Sequence, residues 1–167
     1  MKILVIHPED PTTDFLCDIY KEMWCTVVRT DIGDKAIREH IESHDRIIML
    51  GHGFPGGLYG WNRFVITKDH VKLLKDKSLC GIWCHADQFF NDNKLKGIFT
   101  GMMISEPIEA EFYKVKYTPE EIDESNSKFA WGMKHTVKYW DMDYIKGSYR
   151  LESPVALYNR ARIYQKR

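Results

Sequence analysis

Short apolar runs recur along the chain, each broken by glycine, proline or charge, with amphipathic stretches between them. Apolar runs this short, bounded by turn residues, suit buried strands, and strands are predicted at Lys2–His7, Thr26–Arg29, Arg46–Leu50, Leu79–Trp83 and Gly97–Ile104. The intervening segments change period. Phe15, Leu16, Ile19, Tyr20 and Met23 fall at helical spacing over Asp14–Trp24, after a choice of caps in Thr12-Thr13-Asp14. Gly33-Asp34 opens a helix to about Glu42 with Ile37 and Ile41 on one face, Thr67 caps a helix through Lys75, and Ala86–Leu95 reads as a short helix. Leu58–Ile66 is aromatic and β-branched around Trp61-Asn62, which predicts a hairpin. In the last third, Ser105–Lys116 reads as a loop or short extended segment. Thr118-Pro119-Glu120-Glu121 starts a helix that runs to about Tyr139, with Phe129, Trp131, Tyr139 and Trp140 read as core. Asp141–Tyr149 reads as a small strand or loop, and Glu152–Tyr164 as a closing helix. The β-α alternation predicts an α/β fold, a three-layer open and mostly parallel sheet with helices on both faces. Its crossovers are expected to be right-handed. One domain spans 1–167, with the core sheet over about 1–105 and a helical part over about 106–167.

Charge changes the picture by subtraction. With 24 basic and 24 acidic side chains the formal net charge is zero, which argues against a nucleic-acid partner or an anionic membrane surface. No stretch approaches the roughly 20 apolar residues a membrane helix needs. The N-terminal run Ile3–Ile6 is too short for a signal-peptide core, so a cytoplasmic location is expected. The four cysteines, 17, 25, 80 and 84, then read as thiols, with Cys17, Cys25 and Cys80 in the core.

Candidate chemistry concentrates at two strand ends. Arg46-Ile-Ile-Met-Leu-Gly-His52-Gly53 and Leu79-Cys-Gly-Ile-Trp-Cys84-His85-Ala86 are apolar runs that each stop at a reactive residue. In an open parallel sheet both ends lie on the carboxyl edge, where ligands bind. A histidine beside a cysteine suggests a thiolate nucleophile, Cys84, with His52 as its general base. The backbone N–H groups of Gly53 and Cys84 suit a developing oxyanion. His7 ends the first predicted strand at the same edge and is a further pocket candidate, as is Glu106 after the fifth. Other readings fit less well. Cys80 and Cys84 in one strand are about 13 Å apart, too far for one zinc ion, and no second Cys/His pair follows. Gly51-x-Gly53-x-x-Gly56 matches a dinucleotide string but leads into a hairpin instead of a helix. A phosphoryl-accepting receiver needs an aspartate where the third strand ends in Gly51-His52.

The two strand ends resemble the His-Gly and Cys motifs of the caspase-like cysteine peptidase superfamily, including metacaspases and CHAT domains. Leu50-Gly51-His52-Gly53 and Cys84-His85-Ala86 carry the resemblance, and Phe64–Leu74 resembles the CHAT segment that leads to the cysteine strand. The resemblance covers about residues 1–105. It implies a caspase-like fold and a hydrolase acting on a peptide or protein substrate, with His52 as base, Cys84 as nucleophile and Gly53 as oxyanion donor. Asp87 and Glu106 are the acidic residues nearest in position to its specificity pockets. No cofactor and no metal are implied. Trp83 departs from the small or acidic residue common before the metacaspase cysteine. The alternative is a catalytically inactive caspase-like or flavodoxin-like domain that binds or regulates.

Overall fold

The computed structural model describes all residues, Met1–Arg167. Five strands are parallel: β1 (Ile3–Ile6), β2 (Thr26–Val28), β3 (Arg46–Leu50), β7 (Ser78–Ile82) and β8 (Gly97–Thr100). Three short strands follow β3 directly and form a separate antiparallel sheet: β4 (His52–Phe54), β5 (Gly57–Gly60) and β6 (Arg63–Ile66). The last strand, β9 (Ile163–Lys166), joins the main sheet antiparallel to β8, giving the order β2-β1-β3-β7-β8-β9. Among the parallel strands this is the 2-1-3-4-5 order of flavodoxin-like doubly wound sheets. The chain winds outward in both directions from β1 and β3, so their carboxyl ends flank the crevice in which such sheets bind ligands.

Alternation along the strands fixes the layers, because successive side chains in a strand face opposite ways. Leu4, Ile6, Ile47, Met49 and Leu79 join one core with Ile37 and Ile41 of α1 (Gly33–Ser43), Leu74 of α2 (Val71–Leu74) and Phe89 and Phe90 of α3 (Ala86–Asp92). Val5, Ile48, Leu50, Cys80, Ile82 and Ile98 face the opposite core. There they meet the 3-10 helix Pro11–Ile19, and Phe129, Met133 and Val137 of the long helix α5 (Pro119–Tyr139). Thr118 caps α5 by accepting from the Glu121 N–H, and Pro119 takes the first turn, as the sequence predicts. Arg46, buried at the start of β3, donates to the Val137 carbonyl at 2.7 Å and lies 4.2 Å from the Trp140 ring centre, tying the end of α5 to the sheet.

Several segments differ from expectation. The helix expected over Asp14–Trp24 is a 3-10 helix from Pro11 to Ile19, because Asp10 accepts from the Thr12 N–H and starts the winding earlier. The expected loop Ser105–Lys116 contains α4 (Pro107–Phe112), and Asp141–Tyr149 contains α6 (Asp143–Ser148). The closing helix is shorter, α7 (Pro154–Arg160). Ile163 and Tyr164 then pair with Thr100 and Phe99, because the β8 edge offers unpaired backbone groups. Phe129 is buried, but Trp131 and Tyr139 are more than half exposed, on the solvent side of α5. Cys17 and Cys25 are half-buried, while Cys80 is fully enclosed. No helix is long and apolar enough to cross a membrane.

Candidate functional site

At the carboxyl edge of the sheet, β1 runs into His7-Pro8-Glu9-Asp10, β3 into Gly51-His52, β7 into Trp83-Cys84-His85, and β8 into Met102-Met103. Gly51 turns the chain with φ +135, a conformation that side-chain-bearing residues rarely adopt, and so swings β3 into the antiparallel sheet. Gly53 has a packing reason. A Cβ there would overlap the Trp83 indole. Trp83 is buried against Phe89 and Phe90, at ring distances of 5.7 and 6.0 Å, and donates Nε1–H to the Phe54 carbonyl at 3.3 Å. The bulky residue before the cysteine is thus the post on which the β4–β6 sheet is mounted.

A cleft of about 540 Å³ opens here, walled by Pro8–Asp10, the β4–β6 sheet, Cys84-His85, Met102 and Glu109 of α4. Behind it a smaller cavity of about 40 Å³ lies between the strand ends and α5. His52, Cys84 and Glu109 line both.

His52 and Cys84 therefore share the site, but no hydrogen bond joins them. The Thr12 hydroxyl donates to Asp10 Oδ1 at 2.7 Å, so it accepts from His52 Nε2–H at 2.6 Å. The Nε2 nitrogen thus serves as a donor in the resting structure. The Asp10 carboxyl is held below its usual range, first by the Thr12 hydroxyl. The Cys84 thiol points elsewhere, toward the Met103 carbonyl at 3.8 Å and Glu109 Oε1 at 4.0 Å. Burial pushes it up to about 11, and the neighbouring Glu109 and Glu106 carboxylates push the same way. Nothing around the half-buried Cys84 favours a thiolate: no hydrogen bond from His52 reaches it, and the charges beside it, Glu109 and Glu106, are negative. Iodoacetamide should accordingly modify Cys84 slowly at neutral pH, with a rate that climbs toward pH 11. His52→Ala should leave the profile unmoved, and Glu109→Gln should shift it to lower pH, as read by peptide mapping of the alkylated protein.

His7 lies away from the cleft. It is fully buried, with Nδ1 3.0 Å from the Tyr20 hydroxyl and Nε2 3.2 Å from the Thr13 hydroxyl. Burial lowers its pKa from 6.5 to about 4. Between those values the unfolded chain binds the extra proton, so stability falls as pH drops. The contribution is complete above pH 6.5 and lost toward pH 4, up to about 3 kcal/mol. Urea unfolding of wild type and His7→Gln at pH 7 and 4.5 should show the acid loss smaller in the variant.

Asp87 and Glu106 line neither space. Asp87 sits in the first turn of α3 with Oδ1 buried and unpartnered, and Glu106 precedes α4. The acidic residues that do reach the cleft are Glu9, Asp10 and Glu109. Glu109 is held by three bonds to Oε2, from the Ser105 N–H and hydroxyl and the Glu106 N–H, which leaves Oε1 toward Cys84. Glu109 thereby closes the start of α4 by accepting from the Glu106 N–H, but with glutamate at the cap position the spacing carries no recognised helix-start signal. Phe54, Tyr59 and Trp61 supply the aromatic wall. No group of three or more His, Cys, Asp or Glu converges as a metal shell.

No family model matches the chain, and no curated protein is similar to it by sequence. Among solved structures it is similar to a flavone reductase, 15% identical with a TM-score of 0.46 over 83% of this chain and 63% of that one. It is also similar to an NADPH-quinone reductase from P. pentosaceus, 13% identical with a TM-score of 0.45 over 90% of this chain and 99% of that one. The chain thus spans less than two thirds of the flavone reductase's length. Neither of these structures is a caspase-like peptidase, so the expected resemblance to that superfamily is not supported by the comparisons. The expected caspase-like fold label, the hydrolase and cysteine-peptidase activity and the peptide or protein substrate therefore find no support among the matched structures and are not carried further. The fold is α/β, with a mostly parallel central sheet flanked by helices and a strand order consistent with flavodoxin-like folds.

Proposed function

We propose that the chain is a small-molecule-binding domain whose carboxyl-edge cleft takes a small organic cation. The observation that carries this reading is the lining itself: three carboxylates, Glu9, Asp10 and Glu109, face an aromatic wall of Phe54, Tyr59 and Trp61, and no lysine or arginine lines the cleft. A cation gains from both kinds of surface. An aromatic face contributes about 0.5–2 kcal/mol to a nearby cation. A carboxylate a few ångströms away adds attraction that is strengthened where walls exclude water. His52 and Cys84 are proposed as contact residues at the floor of the cleft.

A mononucleotide at the same crevice is the ligand flavodoxin-like order brings to mind. Its phosphates would meet Glu9 and Asp10 at the first turn after β1, and Asp10 already occupies the backbone N–H position where a phosphate would bind. The residues present do not fit that group.

Calorimetric titration at low ionic strength tests the proposal, with methylammonium, tetramethylammonium and guanidinium set against inorganic phosphate, AMP and FMN. Cation binding that weakens with added salt, and no uptake of the phosphates, is expected. Binding of FMN or AMP with no response to any cation would overturn it.

A further inference from the structure

The small cavity behind the cleft narrows the ligand class. Resting on the cation reading, we infer that the ligand is a short primary alkylammonium ion. Its charged head lies in the outer cleft, and two or three carbons pass between His52, Cys84 and Glu109 into the inner cavity.

Leu16, Ile82, Met103, Ile104 and Phe129 give that cavity an apolar wall. Its polar side chains are already committed to the protein. Asn159 Oδ1 accepts from the Ile104 N–H at 2.7 Å, and its amide donates to the Ile104 carbonyl at 2.8 Å. Asn126 donates to the Ser105 carbonyl at 3.0 Å, and the Ser105 hydroxyl donates to Glu109 at 3.1 Å. The Thr13 hydroxyl is held by the Asp10 carbonyl and His7, each at 3.2 Å. The thiol at the entrance is protonated at neutral pH and weakly polar, so it presents little barrier to a methylene group. A hydrocarbon chain thus gains wall contacts without stripping a polar group of its partner.

Size sets the upper limit. An apolar cavity of about 150 Å³ accepts a benzene ring, whereas this one measures about 40 Å³. A chain of two or three carbons fits and a ring does not. The entrance also selects the head group. A bulky quaternary nitrogen can sit at the aromatic wall, but its chain must still enter beside the Glu109 carboxylate, which favours a compact ammonium donor at that point.

The experiment is a chain-length series by calorimetry on the full chain: methyl-, ethyl-, propyl-, butyl-, hexyl- and benzylammonium. Each methylene up to propyl should tighten binding about fourfold. Butyl and hexyl should add nothing further, and benzylammonium should bind no better than methylammonium. Met103→Phe, which places a bulkier side chain in the cavity wall, should flatten the series. If the wild-type series is flat, or hexyl- and benzylammonium bind best, the inner-cavity assignment is overturned although the cation reading stands. If no member of the series binds, the cation reading itself fails, and this inference with it.

Discussion

Trp83→Ala should destabilise the protein by about 4 kcal/mol, the cost of emptying a large buried aromatic site. For a chain of this length that lowers the melting temperature by about 10 °C or more. The indole is buried, packs on Phe89 and Phe90, bonds the Phe54 carbonyl and fills the space that Gly53 leaves. Its loss should detach the β4–β6 sheet before the main sheet melts, since the main ladder does not run through that residue. Hydrogen exchange should therefore quicken first over residues 52–66. Trp83→Phe keeps the ring contacts and gives up one hydrogen bond whose acceptor can turn to water, so it should cost about 1 kcal/mol. Equal losses in the two variants would mean that Trp83 is not the anchor described here.

The second large effect is electrostatic. Glu109→Gln and Asp10→Asn should each weaken binding of a small organic cation about tenfold, or about 1.4 kcal/mol, and the double variant about a hundredfold. Both replacements keep the local bonds. Asparagine caps helices as well as aspartate does, and the glutamine carbonyl can still accept from the Ser105 and Glu106 N–H groups that Glu109 Oε2 now holds. The melting temperature should stay within a few degrees of wild type while affinity falls. Glu9→Lys places a cation at the exposed rim and should weaken binding further still, most strongly at low salt. Unchanged affinity in the double variant would remove the electrostatic basis of the site.

The placement of His52 and Cys84 was legible because each apolar run ends abruptly, and parallel strands deliver their ends to one edge. The hairpin was legible from its aromatic and β-branched alternation around Trp61-Asn62. Cys84's chemistry was not. Its burial and acidic surroundings come from α4 and from the β8–α4 connection, so a reading of the strand end alone expects a free, activatable thiol. The same holds for Glu109, whose helix is six residues long and too short to show a period. β9 was missed because Ile163 and Tyr164 gain their partners only from the β8 edge, about sixty residues earlier in the chain. His7 ends a strand at the functional edge, yet Tyr20 and Thr13 turn it into the core, a contact that depends on the 3-10 path of Pro11–Ile19.

Backbone amide NMR during a propylammonium titration tests the central claim most directly. Shift changes are expected to be confined to residues 8–16, 51–62, 82–85, 102–109, 126–129 and 159, the linings of the cleft and the inner cavity, saturating with one affinity and absent in the Asp10→Asn, Glu109→Gln double variant. Perturbations centred elsewhere on the surface, or none at millimolar ligand, would contradict it.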